Sequence, residues 1–271
     1  MKKFIVKTEG KLSRILLDYY SGGLSFSRLN KLFREKDVKV NGARVKNDVR
    51  VFSGDEIEVY YDGEMKKTEY VRIFEDENVL IILKPKKITS EAFYESVKTE
   101  TGNLYFCHRL DRNTDGVMIF AKNERSYEEI LGAFRKKTFE KYYEAEVYGS
   151  FGADSGRLVN YLEKDSQKGY VRVYDEKREG TLFAELEYKV IEKKDCSTVL
   201  EIKLNTGRTH QVRAQMAHIG HFVLGDGKYG DDRINRRMNK DNLCLKSKKL
   251  VVHFEKNGAL GYLDGKTFVA P

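Results

Sequence analysis

Four charged side chains and a histidine lie within nine consecutive residues of this 271-residue chain, at positions 108–116. The stretch reads His-Arg-Leu-Asp-Arg-Asn-Thr-Asp-Gly, so Asp111 lies between Arg109 and Arg112. Nearby arginines favour the ionised form of a carboxyl group, and their planar guanidinium groups also bind phosphates. A surface loop has no folding need for this arrangement, whereas an active site that holds one ionised carboxylate beside an anionic substrate does. Asp111 is therefore the first candidate for a catalytic residue.

Two other residues of this stretch compete with Asp111 for a chemical role. Asp115 precedes Gly116, and because Asp-Gly is a common turn pair, structure alone explains this aspartate. His108 is either a base or a residue that hydrogen-bonds the loop, and we favour the structural role.

The three cysteines, Cys107, Cys196 and Cys244, are far apart and form no CxxC pair. Their number and spacing argue against a disulfide framework and against a zinc site, so we expect reduced thiols and no metal. Cys107 adjoins the charged loop, but the only base beside it is His108, and adjacent residues of a strand face opposite ways. A catalytic thiol is therefore disfavoured.

A second polar segment, residues 204–213, reads Leu-Asn-Thr-Gly-Arg-Thr-His-Gln-Val-Arg. It predicts the end of a strand, a glycine turn and the start of a helix over residues 209–219. Arginines at a helix start oppose the helix dipole, so Arg208 and Arg213 indicate a carboxylate or phosphate partner there.

A third segment, residues 141–147, alternates like a strand and turns Tyr143 towards the apolar side. A tyrosine in such a position is either plain core or a platform on which a nucleobase stacks.

The elements that position these segments are strands with intervening helices from residue 71 onward. A helix is predicted over residues 127–136. Apolar runs and period-two patterns predict strands at residues 79–83, 117–121, 141–147, 186–190 and 200–204.

The first 60 residues differ in pattern and charge from the rest of the chain and predict a compact basic unit. Two helical patterns, the second over Ser27–Glu35 with Ser25 or Ser27 as its cap, precede short strands around an Asn-Gly turn. These residues carry 13 Lys and Arg against 8 Asp and Glu, and the whole chain has a net charge of +8. The basic balance favours a polyanionic partner, most simply nucleic acid. No apolar run approaches the length of a membrane helix.

The charged loop at 108–116, the Lys-x-Tyr pair Lys141 and Tyr143, and the segment at 206–213 occur in the order found in the RluA-type pseudouridine synthases. The chain resembles that family over residues 71–271, with Asp115 in the usual serine position of the loop and Val212 in place of isoleucine. The resemblance implies that Asp111 is the nucleophile or carboxylate catalyst. It also implies that Arg213 pairs with Asp111, and that Tyr143 stacks on a flipped-out uracil.

The N-terminal part resembles the small RNA-binding domain first known from a ribosomal protein of the small subunit. In that family the second helix and the hairpin grip RNA. The resemblance implies RNA contacts in this unit at Arg28, Lys31, Arg34, Lys39, Asn41 and Arg44, and in the catalytic domain at Arg109, Arg112 and Arg208.

Together these observations predict an α+β protein with a mostly antiparallel mixed sheet, a central cleft and a small N-terminal α/β RNA-binding domain. The expected bounds are 1–62 for that domain, 63–70 for a linker and 71–271 for the catalytic domain. We expect a cytoplasmic monomer that isomerises uridines in RNA without a cofactor or metal. Large-subunit ribosomal RNA is the expected target, with transfer RNA as an alternative. Two rivals remain open: an RNA-binding assembly factor without catalysis, and an RNA hydrolase with His108 or His210 as its base.

Overall fold

A computed structural model describes residues 1–20, 24, 26–61, 69–165 and 169–271. The chain divides into two compact units, Met1–Glu69 with Glu91–Gly102, and Tyr70–Ser90 with Asn103–Pro271. Most of the expected linker, residues 63–68, lies outside the described residues, and the expected domain bounds stay a prediction. Over the described ranges, no helix is both long and apolar enough to cross a membrane.

The smaller unit combines short strands with two N-terminal helices. It contains β1 (Lys2–Ile5), β2 (Gly10–Lys11), α1 (Leu12–Tyr19), α2 (Phe26–Glu35), β3 (Val38–Val40), β4 (Ala43–Arg44), β5 (Arg50–Val51), β6 (Glu56–Val59) and all but the first residue of α3 (Ser90–Thr101). The strands form an antiparallel sheet in the order β1-β6-β3-β4, and β2 pairs with β5. Leu12 and Leu16 of α1 and Leu29 and Leu32 of α2 are buried, as amphipathic spacing requires.

Two details of this unit differ from the sequence prediction. Strands β1 and β2 precede the helices, and β1 is too short and too exposed to produce a clear alternating pattern. Ser27 lies inside α2, which begins at Phe26, so the prediction that Ser27 caps this helix is wrong. Ser25, the other predicted cap, lies outside the described residues.

The larger unit is built on one long sheet. Its elements are β7 (Val71–Glu75), β8 (Val79–Lys84), β9 (Tyr105–Phe106), β10 (Asp115–Ala121), α4 (Glu124–Lys136), β11 (Glu140–Tyr148), β12 (Ser155–Asp165), β13 (Tyr170–Tyr174), β14 (Leu182–Lys193), β15 (Ser197–Leu204), α5 (Gln211–His218), α6 (Asp232–Arg237), β16 (Leu245–Val251), a 3-10 turn (Gly261–Leu263) and β17 (Thr267–Val269).

The strand order is β13-β12-β14-β15-β11-β16-β10-β8-β7, with β9 beside β10 and β17 beside β16. Only the short contact between β10 and β16 is parallel among these described pairs. The expected α+β class with a mostly antiparallel mixed sheet is confirmed.

Two apolar cores position the helices that flank the sheet. Ile130 and Ala133 of α4 pack in one cluster with strand residues such as Ile119 of β10. Val212 and Met216 of α5 pack in another cluster with strands β11, β14 and β15. On α5, Ala214 packs with Leu162 of β12 and Val171 of β13, and the first turn of the helix brings Arg213 to Asp111 in the loop that precedes β10.

Candidate active site

Hydrogen bonds from a neighbouring segment fix the loop that carries Asp111. The hydroxyl group of Ser90 donates to the carbonyl of Leu110 and accepts from the N–H of Leu110, both at 2.8 Å. Lys84, at the end of β8, has no exposed surface. Its ammonium group donates to the carbonyls of Pro85, Ile88 and Arg112, at 2.8, 2.9 and 3.3 Å. The buried ammonium thus ties the Asp111 loop, at Arg112, to the segment at residues 85–88 through three carbonyl groups.

Gly116 fixes the point where this loop enters β10. Its φ is +120°, and a Cβ atom built on it would lie 2.1 Å from the carbonyl oxygen of Ser247 on β16. Glycine alone allows this backbone conformation and this close approach. The loop therefore leaves the sheet at the only parallel strand contact in the described part of the larger unit.

Asp111 lies against the guanidinium group of Arg213, which the first turn of α5 presents. The Nη1 atom of Arg213 is 3.2 Å from Asp111 Oδ2, and the Asp111 side chain keeps a fifth of its surface exposed. The remaining donors of Arg213 bind Asp226, Nε at 2.7 Å and Nη2 at 2.9 Å. One buried guanidinium therefore holds two carboxylates, in a two-point contact with Asp226 and a one-point contact with Asp111.

Asp226 is the fixed end of this arrangement. It is 1 % exposed and also accepts from the backbone N–H groups of Lys228 and Tyr229, at 2.9 and 3.2 Å. Burial alone would raise the pKa of Asp226, but the hydrogen bonds and charge of Arg213 outweigh it and hold that pKa below its usual value. Asp226 therefore stays ionised and orients Arg213 towards Asp111.

A cavity of about 430 Å³ opens beside Asp111. Tyr143 lines it from β11, where the register with β16 shifts between Tyr142 and Tyr143, as at a β-bulge that redirects a side chain. Burial and the negative charge of Asp111 raise the pKa of Tyr143 well above its usual value, so the hydroxyl keeps its proton. Other residues at the wall of the cavity include Cys107, His108, Arg109, Leu110, Thr114, Phe134, Arg135, Lys137, Lys141, Leu245 and residues 204–212.

His108 lines this cavity but has a structural partner. Its Nε2 atom accepts the backbone N–H of Ile119 at 3.0 Å, and its ring lies 5.0 Å from the ring of Phe134. Burial and the charge of Lys141 lower the pKa of His108 to about 3, so the ring stays neutral. These contacts occupy the nitrogen that a base would need.

Cys107 is a buried thiol rather than a reactive one. Its sulfur lies 3.5 Å from the carbonyl of Tyr105, and burial raises its pKa to about 12. A thiolate, the reactive form, is therefore scarce at neutral pH.

Of the other candidate residues of the larger unit, two line the cavity and two do not. Arg109 and Arg208 line the cavity, and Arg208 Nε donates to the carbonyl of Phe183 at 3.0 Å. Arg112 is exposed and donates to the carbonyl of Lys87 at 3.2 Å. Asp115 lies outside the set of lining residues, and Lys86 Nζ is 3.6 Å from its Oδ1 atom.

Arg28, Lys31 and Arg34 in the smaller unit follow one another at three-residue spacing on α2, so they share one face of the helix. Arg28 and Arg34 are exposed, and the guanidinium of Arg28 lies 5.6 Å from the ring centre of Tyr61. Lys31 Nζ is 3.5 Å from Glu35, a surface pair of small energetic value. This face is therefore open to a polyanion.

The residues implied on the hairpin, Lys39, Asn41 and Arg44, have internal partners as well. Lys39 Nζ is 3.2 Å from Glu58, and the Asn41 amide donates to Asp55 at 2.9 Å. Arg44 donates to the main-chain carbonyl that follows α2, at 2.6 Å. Part of their polarity thus stabilises the hairpin itself.

Three supporting residues, Lys84, Asp226 and Tyr229, lie in segments that match the family pattern but were given no role from the sequence. Each is buried, and each holds a residue of the site from a distant part of the sequence. A lysine at the end of an apolar strand and an aspartate in a Gly-Asp pair carry too little local pattern to be recognised without the fold.

The arrangement supplies a carboxylate held by a fixed guanidinium, and a tyrosine, beside a cavity large enough for part of a nucleotide. No group of three or more His, Cys, Asp or Glu side chains suited to a metal ion occurs among residues 1–20, 24, 26–61, 69–165 and 169–271. The side chains around the cavity are of the types that carboxylate catalysis uses.

The chain is similar to known proteins. A family model described as RNA pseudouridylate synthase matches residues 78–218. Ribosomal large subunit pseudouridine synthase C from Vibrio parahaemolyticus is 28% identical, over 77% of this chain and 73% of the relative. Ribosomal large subunit pseudouridine synthase D from Borreliella burgdorferi is 28% identical over 91% and 85%. An uncharacterized RNA pseudouridine synthase from Aquifex aeolicus is 31% identical over 82% and 77%.

A solved structure supports the fold. Human RNA Pseudouridylate Synthase Domain Containing 1 matches with a TM-score of 0.65 at 19% sequence identity, over 77% of this chain and 85% of that one. At this identity the match speaks for the fold alone.

Proposed function

The chain belongs to the RNA pseudouridylate synthase family and is an RNA pseudouridine synthase, and from this we propose that it isomerises uridines of large-subunit ribosomal RNA with Asp111 as its carboxylate catalyst. The observation that carries the role of Asp111 is its contact with Arg213, at 3.2 Å, beside a cavity that Tyr143 also lines. Among the carboxylates of the larger unit, Asp111 combines access to this cavity with a buried cationic partner.

The reaction breaks the bond between N1 of uracil and C1′ of ribose and forms a bond between C5 and C1′. The hydrogen on C5 leaves as a proton, and N1 regains one, so no electrons are gained or lost. Such an exchange needs a carboxylate to assist detachment, a cavity that excludes water while the base turns, and a base extruded from its stack. We therefore expect no cofactor.

Each of the three side chains has a distinct part in this proposal. Asp111 assists detachment of the uracil as nucleophile or as carboxylate catalyst. Arg213 keeps Asp111 ionised and oriented. Tyr143 stacks on the flipped uracil and assists removal of the C5 proton late in the reaction.

The proposed target follows from the relatives, two of which are named for the large ribosomal subunit. Transfer RNA is the alternative target. Arg109 and Arg208, which line the cavity, and the exposed Arg112 of the same loop as Asp111 are proposed to bind phosphates that flank the target uridine. The monomeric state and the cytoplasmic location stay predictions.

The test is tritium release from RNA labelled at C5 of uracil. Transcripts of large-subunit ribosomal RNA and of transfer RNA are incubated separately with the enzyme. Release from the ribosomal transcript alone is the expected result, because the bond formed at C5 displaces that hydrogen. Release from the transfer RNA alone would overturn the proposed target, and binding of either RNA without release from any pool would favour the assembly-factor alternative.

The basic face of α2 gives a second prediction, on binding. Replacing Arg28, Lys31 and Arg34 with glutamine should weaken RNA binding and flatten its salt dependence, because each lost phosphate contact removes about 0.7–0.9 from the slope of log K against log salt. Three lost contacts should therefore lower the slope by about 2. The measurement is RNA affinity at four salt concentrations in the full-length protein.

A matched triple variant keeps the change in net charge the same. Lys189, Lys193 and Lys256 are exposed residues of the larger unit that do not line the cavity, and their replacement with glutamine should leave the slope nearly unchanged. Equal slopes for both triple variants would contradict an RNA-binding role for α2.

A further inference from the structure

His210 and Tyr229 form a hydrogen-bonded pair beside Asp111, and neither residue has a role in the reaction proposed above. The Nδ1 atom of His210 lies 2.8 Å from the hydroxyl oxygen of Tyr229. The backbone N–H of Val171 donates to the same hydroxyl at 2.9 Å. The other ring nitrogen of His210, Nε2, lies 4.0 Å from Asp111 Oδ2.

The proton of the Tyr229 hydroxyl decides which nitrogen of His210 carries hydrogen. Tyr229 is buried, and burial raises its pKa to about 12, so the hydroxyl is protonated. The N–H of Val171 takes one acceptor site of this oxygen, and Nδ1 of His210, at 2.8 Å, is placed to accept the hydroxyl proton. The imidazole then carries its own hydrogen on Nε2, the atom that faces Asp111.

Four charged groups act on the protonation of this ring. Burial lowers the pKa of His210, and Arg213 and Lys228 lower it further, whereas Asp111 and Asp226 raise it. The net direction is downward, so the neutral ring is favoured at neutral pH.

His210 is also held in an unusual backbone conformation. It precedes the first residue of α5 with a φ of +53° and a ψ of +21°, in the left-handed region, and its side chain does not cap the helix. A residue other than glycine adopts this conformation at a cost, which is common at functional sites. The conformation places the ring at the wall of the cavity rather than over the helix end.

The distance of 4.0 Å between Nε2 and Asp111 Oδ2 is too long for a direct hydrogen bond but suits a shared partner. An oxygen atom about 2.8 Å from each of them would subtend an angle of roughly 90°. That oxygen must accept from Nε2–H and donate to the acceptor-only carboxylate. A hydroxyl group meets both demands, whereas a carbonyl oxygen of uracil meets only the first.

We propose that His210, fixed by Tyr229 as the tautomer with hydrogen on Nε2, and Asp111 together hold a hydroxyl group of the target nucleotide, the ribose 2′-hydroxyl. The inference rests on the proposed function and deepens it, because it names the part of the substrate that lies beside the catalyst. It also gives the site a means to distinguish RNA from DNA, which lacks that group.

Two amide substitutions separate this role from a structural one. In His210→Gln the amide nitrogen takes the place of Nε2, whereas in His210→Asn it takes the place of Nδ1. The proposal expects His210→Gln to stay within about fivefold of the wild-type single-turnover rate, and His210→Asn to lose about 30-fold or more, since loss of one positioned donor costs about 100-fold in other sites. A purely structural role predicts the reverse order, because asparagine tolerates the left-handed conformation better than glutamine does.

A second measurement does not depend on activity. Long-range ¹H–¹⁵N correlation spectra of the full-length protein at neutral pH report which imidazole nitrogen is protonated, and the signals of His210 are those missing from the His210→Gln spectrum. We expect hydrogen on Nε2 in the wild type and a shift towards Nδ1 in Tyr229→Phe. Hydrogen on Nδ1 or a charged ring in the wild type would overturn the proposal.

A third experiment changes the substrate. It uses the shortest RNA that the wild type modifies, with 2′-deoxyuridine at the target position. Loss of the hydroxyl should slow the wild type and His210→Gln by similar factors but add little to the defect of His210→Asn. Equal additional losses in all three proteins would contradict the shared hydroxyl. Absence of tritium release by the wild type would instead refute the proposed function, so the two failures are distinguishable.

Discussion

Replacing Asp111 with asparagine should abolish tritium release, by at least about 1,000-fold in the single-turnover rate, while RNA affinity stays within a few-fold of the wild type. Such a loss corresponds to about 4 kcal/mol of transition-state stabilisation, which is the scale for removal of a catalytic side chain. Affinity should persist because RNA binding depends mainly on phosphate contacts with basic residues. Release of tritium and RNA affinity are measured on the same preparation.

The structure suggests that this variant folds. Asp111 makes one hydrogen bond with Arg213, whereas Asp226 makes two and is almost fully buried. When Asp111 is replaced, the guanidinium therefore keeps a buried anionic partner. The amide of asparagine also has nearly the same shape as the carboxylate that it replaces. Any loss of activity therefore reports chemistry rather than collapse of the cavity.

Asp115→Asn is the matched control, since it makes the same substitution four residues later. Asp115 faces Lys86 at 3.6 Å and Lys246 at 4.0 Å and does not line the cavity. Its rate should stay within about twofold, because partly exposed ion pairs contribute little energy. An Asp111→Asn protein as active as Asp115→Asn would end the assignment of Asp111.

The same reactions separate a synthase from an RNA hydrolase. Isomerisation leaves the length of the RNA unchanged, so a denaturing gel of the treated transcript should show intact chains alongside released tritium. Shortened chains would favour the hydrolase, with His210 as its base because the Nε2 atom of His108 is already occupied by Ile119.

Much of the sheet could be predicted from the sequence because its strands carry strong local patterns. Residues 79–83 and 117–121 are continuous apolar runs, and they lie side by side as the antiparallel strands β8 and β10. Strand β12 was not predicted, because polar Asn160 lies on its buried face and Val159 on its exposed face, and β13 was not predicted because its alternation covers only five residues. Part of one face of these strands is covered by α5. A local sequence pattern does not predict a strand whose burial is provided by an element distant in the sequence.

The candidate site divides in the same way. Asp111 and Arg213 stood out because charged residues were concentrated beside apolar strands, and the structure brings them within 3.2 Å although 102 positions separate them. Asp226 and Lys84 did not stand out, since each is a single charged residue whose partners come from other segments. Their importance depends on burial, which a sequence pattern does not report for an isolated charge.

The strongest test of such a supporting residue is Asp226→Asn. Asp226 does not line the cavity, so it is a positioning residue that acts through Arg213. Removing one charge of a buried pair costs about 3–5 kcal/mol of folding stability and leaves the partner free to reorient. We expect the single-turnover rate to fall at least about 100-fold at a temperature where the protein is still folded, with RNA affinity nearly unchanged.

A double-mutant cycle with Arg213 tests whether the fall in single-turnover rate has a cause other than lost stability. Coupling between Asp226 and Arg213 in their effects on the rate would show that the two residues act together. Arg213→Lys retains the charge but not the planar group that reaches both carboxylates, so the variant that combines it with Asp226→Asn should be no slower than the worse single variant. Asp231→Asn serves as the control, because Asp231 caps α6 through the N–H groups of Arg233 and Ile234 and does not contact Arg213. That variant should keep its stability to within a few tenths of a kcal/mol, because asparagine caps a helix about as well as aspartate does, and it should also keep its rate. Rate losses that simply multiply in the combined variant would show that Asp226 acts on the reaction by a route other than Arg213, and the chain from Asp226 through Arg213 to Asp111 would then have to be abandoned.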